Sequence, residues 1–162
     1  MKLFILTFFF ALSLQAKVTV AFLELRNYYG DLIQLEQGGR FAHMAISYKG
    51  QWLHAHPLKG VEVVSEEKLK KIGQIKETIE LPEVEEISEQ QAAQYLGKPF
   101  DNNYSWTDDA IYCAELVGKL LNIRPTPMSF DASFWPDQYK ALNGKLGLSP
   151  DDIFQILSNR AK

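Results

Sequence analysis

Four side chains carry the chemistry this sequence can do. The three histidines, His43, His54 and His56, fall within 14 residues of one another, and the single cysteine, Cys113, follows further along the chain. A thiol with an imidazole in reach is the nucleophile–base pair of acyl transfer. The imidazole takes the thiol proton, the sulfur attacks a carbonyl carbon, and a further polar group fixes the ring. Three imidazoles on one surface can instead bind zinc with an open position. Ligands on alternate strand positions need a fourth group from elsewhere, however, and no HExxH pattern occurs, so neither metal nor cofactor is expected.

The elements around these residues decide whether they meet. Phe41 to Tyr48 and Gln51 to Pro57 flank Lys49-Gly50, a hairpin signal. With Tyr48 paired to Gln51, Ala45 falls opposite His54 and His43 opposite His56, and all three rings project from one face. His43 then has one histidine directly across, at roughly 4.5–5.5 Å, and one on the diagonal, at about 7–8 Å. A register slip of one residue would undo this. Cys113 lies at or near the first turn of a periodic run, Ile111, Tyr112, Cys113, Leu116, Val117, Leu120 and Leu121, preceded by Asp108-Asp109, which predicts an amphipathic helix with acids at its positive end. A helix start favours thiolate, whereas an apolar neighbourhood favours thiol. Glu115 is expected to point away, at the surface or behind the site. The residues alone leave open a buried core cysteine with unrelated surface histidines, because free cysteine is among the most buried residue types.

The rest of the chain reads as one α+β domain. Strands are expected at Lys17–Leu25, Asp31–Ile33, Gly60–Val64 and Glu77–Leu81, a helical turn from Ser65, a helix from Ser88 with Gln91 as its capping box, and a final helix capped by Ser149 with Pro150 first. The mixed charges from Glu62 to Glu89 predict a solvated face, and the stretch Val64–Leu96 is expected to shape part of a substrate cleft. With 162 residues, 46% hydrophobic and net charge −3, the composition excludes coiled-coil, collagenous and disordered classes. The scattered basic residues give no footprint for nucleic acid. Gly38-Gly39 lacks the Lys and the spacing of a phosphate loop.

One cysteine forms no internal disulfide. Met1-Lys2, the apolar run Leu3–Leu14 and Gln15-Ala16 predict a signal peptide over residues 1–16, leaving a single domain over 17–162. A buried core helix is the alternative for that run, disfavoured by its lack of a polar face. Export to the periplasm or outside follows from the signal, and an unpaired cysteine in an oxidising compartment is either a buried passenger or a thiol kept for its reactivity.

At the same residues the sequence resembles a known family. Phe41-Ala42-His43-Met44-Ala45-Ile46 followed by Trp52-Leu53-His54-Ala55 is similar to the "SHVGIY…VIHA" hairpin of the NlpC-type papain-like hydrolases. Leu96-Gly97-Lys98-Pro99-Phe100-Asp101 with Tyr112-Cys113-Ala114-Glu115-Leu116-Val117 resembles the "LGKPYD…YCSELV" signature of their circularly permuted YiiX/YebB-like branch, and Leu148–Ile153 resembles its "(I/V)TPDDI" close. The likeness runs from about Gly39 to Ile153. It implies a permuted papain-like fold, a small antiparallel sheet or half-barrel packed on the helix carrying the nucleophile. It also implies Cys113 as nucleophile, His43 as base and His54, rather than the directly opposed His56, as the third polar residue. His56, Tyr104 and Trp106 are expected substrate contacts, although a packed core position is the alternative for Tyr104. Ala42 and Ala114 replace the usual Ser, and Phe100 the usual Tyr, which bears on substrate and rate rather than mechanism.

Relatives of this type cleave cell-wall peptide amides, hydrolyse lipid esters or transfer acyl groups, as lecithin:retinol acyltransferase does, so fold does not select the substrate. The expectation is an exported thiol hydrolase acting on a peptide, glycopeptide or lipid, in contact with cell wall or membrane surface. A lipid esterase or acyltransferase, with Phe134 and Trp135 exposed near the site, and a binding module without turnover are the alternatives.

Overall fold

The computed structural model describes residues 17–160, so the expected leader at 1–16 lies outside the described residues. Five antiparallel strands form one sheet in the order β4–β3–β2–β1–β5: β1 Val18–Glu24, β2 His43–Tyr48, β3 Gln51–His56, β4 Gly60–Val64 and β5 Gln74–Leu81. The helices are α1 Glu66–Leu69, α2 Glu89–Ala93, α3 Cys113–Leu120 and α4 Pro150–Arg160. A 3₁₀ segment Asp137–Leu142 and a two-stranded ribbon, β6 Thr126–Pro127 with β7 Leu146–Gly147, complete the fold. This is the α+β arrangement expected, with α3 lying across β2 and β3 and touching α4.

The central strand explains the layering. β1 is apolar on both faces because both are covered. Val18, Val20 and Phe22 join the main core beneath α3 and α4, while Ala21 and Leu23 meet Ala45, Val64 and Leu69 on the other side. Phe22, Phe41 and Phe154 close the junction with α4 at ring separations of 5.0–5.4 Å. β5, at the edge, alternates exposed Gln74, Lys76, Thr78 and Glu80 with partly covered residues, as its mixed charges predict.

The hairpin forms with the expected first pairs, Tyr48 with Gln51, Ser47 with Trp52 and Ile46 with Leu53. Lys49 and Gly50 both take positive φ, 49° and 71°, which matches the twist of the flanking strands and holds the register. Three expectations change. Asp31–Ile33 is no strand; Leu32 makes one isolated bridge to Arg26. Asp108-Asp109 do not cap the Cys113 helix, which begins only at Cys113, because the Ile111 N–H is drawn to the Pro99 carbonyl at 2.9 Å. Asp108 instead binds Lys119 at 2.7 Å. The segment Val64–Leu96 goes largely into α1, the edge strand β5 and α2, and contributes only Ile72 to the cavity described next.

Candidate active site

A cavity of about 340 Å³ opens where the histidine end of the hairpin meets the start of α3, and both His43 and Cys113 line it. Cys113 is the first residue of α3, so the unpaired amides of that turn lie around its sulfur. The N–H groups of Met44, Ala114 and Cys113 itself favour thiolate, yet burial outweighs them and pushes the thiol up to about 11. Of the two opposing influences read in the sequence, the apolar surroundings win.

His43 is 2% exposed, and its Nε2 lies 2.9 Å from Nδ1 of His54, which is wholly buried. Nδ1 is therefore the His43 nitrogen left for the thiol. The contact is the diagonal one, with ring centroids 5.2 Å apart and planes at 87°. Strand twist brings diagonal neighbours together in a two-stranded ribbon, which is why the rings meet without being directly opposed. Burial, reinforced by the neighbouring imidazoles, pulls His43 down to about 3. Burial likewise brings His54 down to about 4, although Glu62 opposes the shift. At neutral pH the resting site holds a protonated thiol and two uncharged imidazoles. Such a pair works by moving the proton as the bond forms, not through a standing ion pair.

The chain's relatives bear on this geometry. Residues 37–154 match the family described as "Permuted papain-like amidase enzyme, YaeF/YiiX, C92 family". The chain belongs to the permuted papain-like amidase family. Over 31 residues it is 55% identical to "Uncharacterized protein YiiX" of Escherichia coli K12, an alignment spanning 19% of this chain and 15% of that protein. Its fold is similar to a crystal structure of YiiX from Escherichia coli O157:H7, with TM-score 0.60 and 20% identity, covering 86% of this chain and 91% of that one. The family's description is that of a papain-like amidase.

The YiiX crystal structure is titled that of a metalloprotein. Here the histidine nitrogens face each other at 2.9 Å, closer than the roughly 3.3 Å that two ligands at about 2.0–2.1 Å from one tetrahedral zinc would keep. Among the described residues no group of three or more His, Cys, Asp and Glu is placed to hold a metal ion. The described residues do not fit a metal centre.

The expected substrate contacts divide. Tyr104 lines the cavity, in a left-handed conformation at φ 45°, and packs on Tyr112, Phe130, Trp135 and Tyr139 at 5.2–5.8 Å. Its phenol is pushed up by burial and then by Cys113, which lines the same cavity. Tyr104 is thus both packed and site-lining. Trp135 also lines the cavity and donates from Nε1 to the Leu35 carbonyl at 2.6 Å. His56 and Trp106 are not among the lining residues. His56 accepts the Leu58 N–H at its Nδ1, and Trp106 lies under Lys119.

Three buried acids hold these parts in place, and residue-by-residue reading singled out only Glu115 among them. Asp101 accepts the N–H groups of Asn103 and Ser105 and the Ser105 hydroxyl, folding the loop that carries Tyr104. Asp151, in the first turn of α4, accepts the Arg40 and Phe41 amides at 3.0–3.1 Å, two residues ahead of His43. Glu115 is wholly buried rather than turned to the surface. It accepts the Tyr112 N–H at 3.3 Å and lies 2.8 Å from Lys119, with burial raising it to about 7. Each acid lies within the motifs that carry the resemblance, which was the available signal.

Proposed function

We propose that the protein is an exported thiol hydrolase that cleaves an amide of the cell envelope, a peptide or glycopeptide bond, through an acyl-enzyme on Cys113. The observation that carries this is the cavity shared by Cys113 at a helix start and His43, whose far nitrogen is already engaged by His54. As a carbonyl carbon approaches, His43 Nδ1 takes the thiol proton and the sulfur adds to the carbon. The oxyanion is held by the Cys113 N–H at the positive end of α3. Collapse breaks the C–N bond, His43 returns its proton to the leaving amine, and a thioester remains. Water, giving a proton to His43, then attacks the thioester, releases the acid, and the sulfur recovers the proton.

His54 keeps the His43 ring in the orientation this cycle needs. The leader expected at 1–16 supports action outside the cytoplasm. A second reading, a lipid esterase or acyltransferase, is favoured by the apolar walls of the cavity, where Leu35, Phe100, Met128, Phe130 and Trp135 face the site. The test is turnover of a panel of muropeptides, simple peptide amides and long-chain acyl esters by the wild type and Cys113→Ala. Hydrolysis of amides that falls at least about 10³-fold in the variant, with an acyl adduct on Cys113 seen by mass spectrometry, supports the amidase. Preference for acyl esters selects the second reading. Ligand binding unchanged in Cys113→Ala, with no turnover by either protein, indicates a binding module.

A further inference from the structure

We infer that Glu62 is a positioning residue that sets which nitrogen carries the proton in both buried imidazoles. The inference rests on the Cys113–His43 reading and extends it by one residue. Two imidazoles joined by a single hydrogen bond have two neutral arrangements. In one, His43 carries its proton on Nε2 and donates to His54 Nδ1, leaving His43 Nδ1 free to accept from the thiol. In the other, His54 donates from Nδ1 to His43 Nε2, and the His43 proton sits on Nδ1, where it blocks the transfer. The hydrogen bond between the rings does not choose between them, since its 2.9 Å length is the same in both.

The choice falls to the outer nitrogen of His54. In the productive arrangement that nitrogen, Nε2, is an N–H donor. It is fully buried and has no hydrogen-bond partner within ordinary reach. The acceptor facing it is Glu62 Oε1, at 3.5 Å. Register puts it there: Glu62 on β4 is the direct cross-strand partner of His54 on β3. The Glu62 side chain is 28% exposed, so a movement of under about 1 Å converts the approach into a charge-assisted hydrogen bond of about 2.8 Å. An acceptor-only carboxylate stabilises His54 with its proton on Nε2 and offers nothing to the opposite tautomer.

The other groups around His54 do not compete for this role. His56, with its ring 6.0 Å from that of His54, spends Nδ1 on the Leu58 N–H. Lys59 Nζ stands 3.7 Å from the same Glu62 oxygen and, being a donor only, does not compete to accept from His54. His43 occupies the other nitrogen of His54. Glu62 is thus the acceptor that orders the sequence Cys113, His43, His54, Glu62.

The tautomers are measured directly by long-range ¹H–¹⁵N correlation of the histidine rings at pH 7.5. We expect His43 and His54 both protonated on Nε2, and a His54 protonated on Nδ1 overturns the proposal without any variant. Iodoacetamide alkylation of Cys113 is then followed from pH 5 to 10 in the wild type, Glu62→Leu, Glu62→Gln and His43→Ala. Glu62→Leu is expected to slow alkylation near neutrality about tenfold and to mix the His54 tautomers. Glu62→Gln, whose amide oxygen still accepts from Nε2–H, is expected to recover part of the rate. Wild-type rates in Glu62→Leu with a slow His43→Ala overturn the role of Glu62 and leave the pair standing. Wild-type rates in His43→Ala remove the pair itself, and the proposed function with it.

Discussion

His43 reaches the cavity, with His54 bonded behind it, by local means, through a two-residue turn, three ladder pairs and one diagonal contact within a single hairpin. Cys113 reaches the same cavity by long-range means. The loop before it is folded by Asp101, its strap is tied to β4 by the Val61 N–H to Lys98 carbonyl bond, and its helix start is held by Glu115. Gly60 belongs to this second set, since a Cβ there would lie 2.0 Å from the Lys98 carbonyl oxygen at φ 76°. A hairpin needs its own sequence to be right. The cysteine segment needs several distant residues to be right together, so it should be the more fragile half under substitution.

Asp151 joins the two halves, and its removal should give the largest effect on stability. In Asp151→Ala the part-buried amide of Arg40 and the buried amide of Phe41 lose their common acceptor, which costs about 3 kcal/mol, or roughly 6–12 °C in Tm for a domain of this size. Asp151→Asn keeps one carbonyl oxygen and should cost about half as much. Calorimetry measures both. Because Arg40 and Phe41 lead directly into His43, Cys113 alkylation should slow in step. If Tm falls and alkylation does not, Asp151 holds α4 to the sheet without positioning the base, and the two halves are less coupled than the contacts imply.

The halves should also respond to opposite ends of the pH scale. His43 and His54 have lowered values in the folded state, so the unfolded chain binds more protons as the medium is acidified. Their contribution to stability is complete above the ordinary histidine value near 6.5 and is lost as pH falls towards 4 and then 3. On the helix side both groups are raised, to about 7 for Glu115 and about 11 for Cys113. The Glu115 contribution is present below about 4.5 and lost as pH rises through 7, and that of Cys113 is lost between about 9 and 11. Each group changes stability by at most about 1.4 kcal/mol per pH unit within its window. Urea titrations from pH 4 to 10 should show Glu115→Gln flattening the curve between 4.5 and 7, and Cys113→Ala flattening it above 9. A curve unchanged by Glu115→Gln would mean that Lys119 holds the carboxylate charged despite its burial.

The same contrast decides what was legible in the residues. Lys49-Gly50, the alternating apolar positions and the spacing of three histidines are short-range facts, and they fixed the hairpin register and the single face of its rings. The helix start was misplaced because the signal used, acids ahead of an apolar run, is a local one, while the true start is set by the distant Pro99 carbonyl taking the Ile111 N–H. Of the two places open to Glu115, the surface or behind the site, the structure takes the second. Its place two residues after Cys113 says nothing of Lys119, which meets it at 2.8 Å and is itself held by Asp108 and Trp106. The choice of His54 over His56 came from the family resemblance, since counting along a flat ladder does not include twist.

The smallest predicted effect tests the hairpin alone. Lys49 takes φ 49° at a turn position where Asn is the favoured residue, and a straight-chain residue there carries strain that Asn largely relieves. Lys49 also pairs with Glu89, but both side chains are more than half exposed, so that contact is worth little. Lys49→Asn should therefore stabilise the protein by about 0.5–1 kcal/mol and leave Cys113 alkylation unchanged, since the register it reinforces is already the native one. A destabilised variant would mean that the turn is held from outside, by Glu89 and α2. The histidine half would then depend on tertiary contacts as much as the cysteine half does.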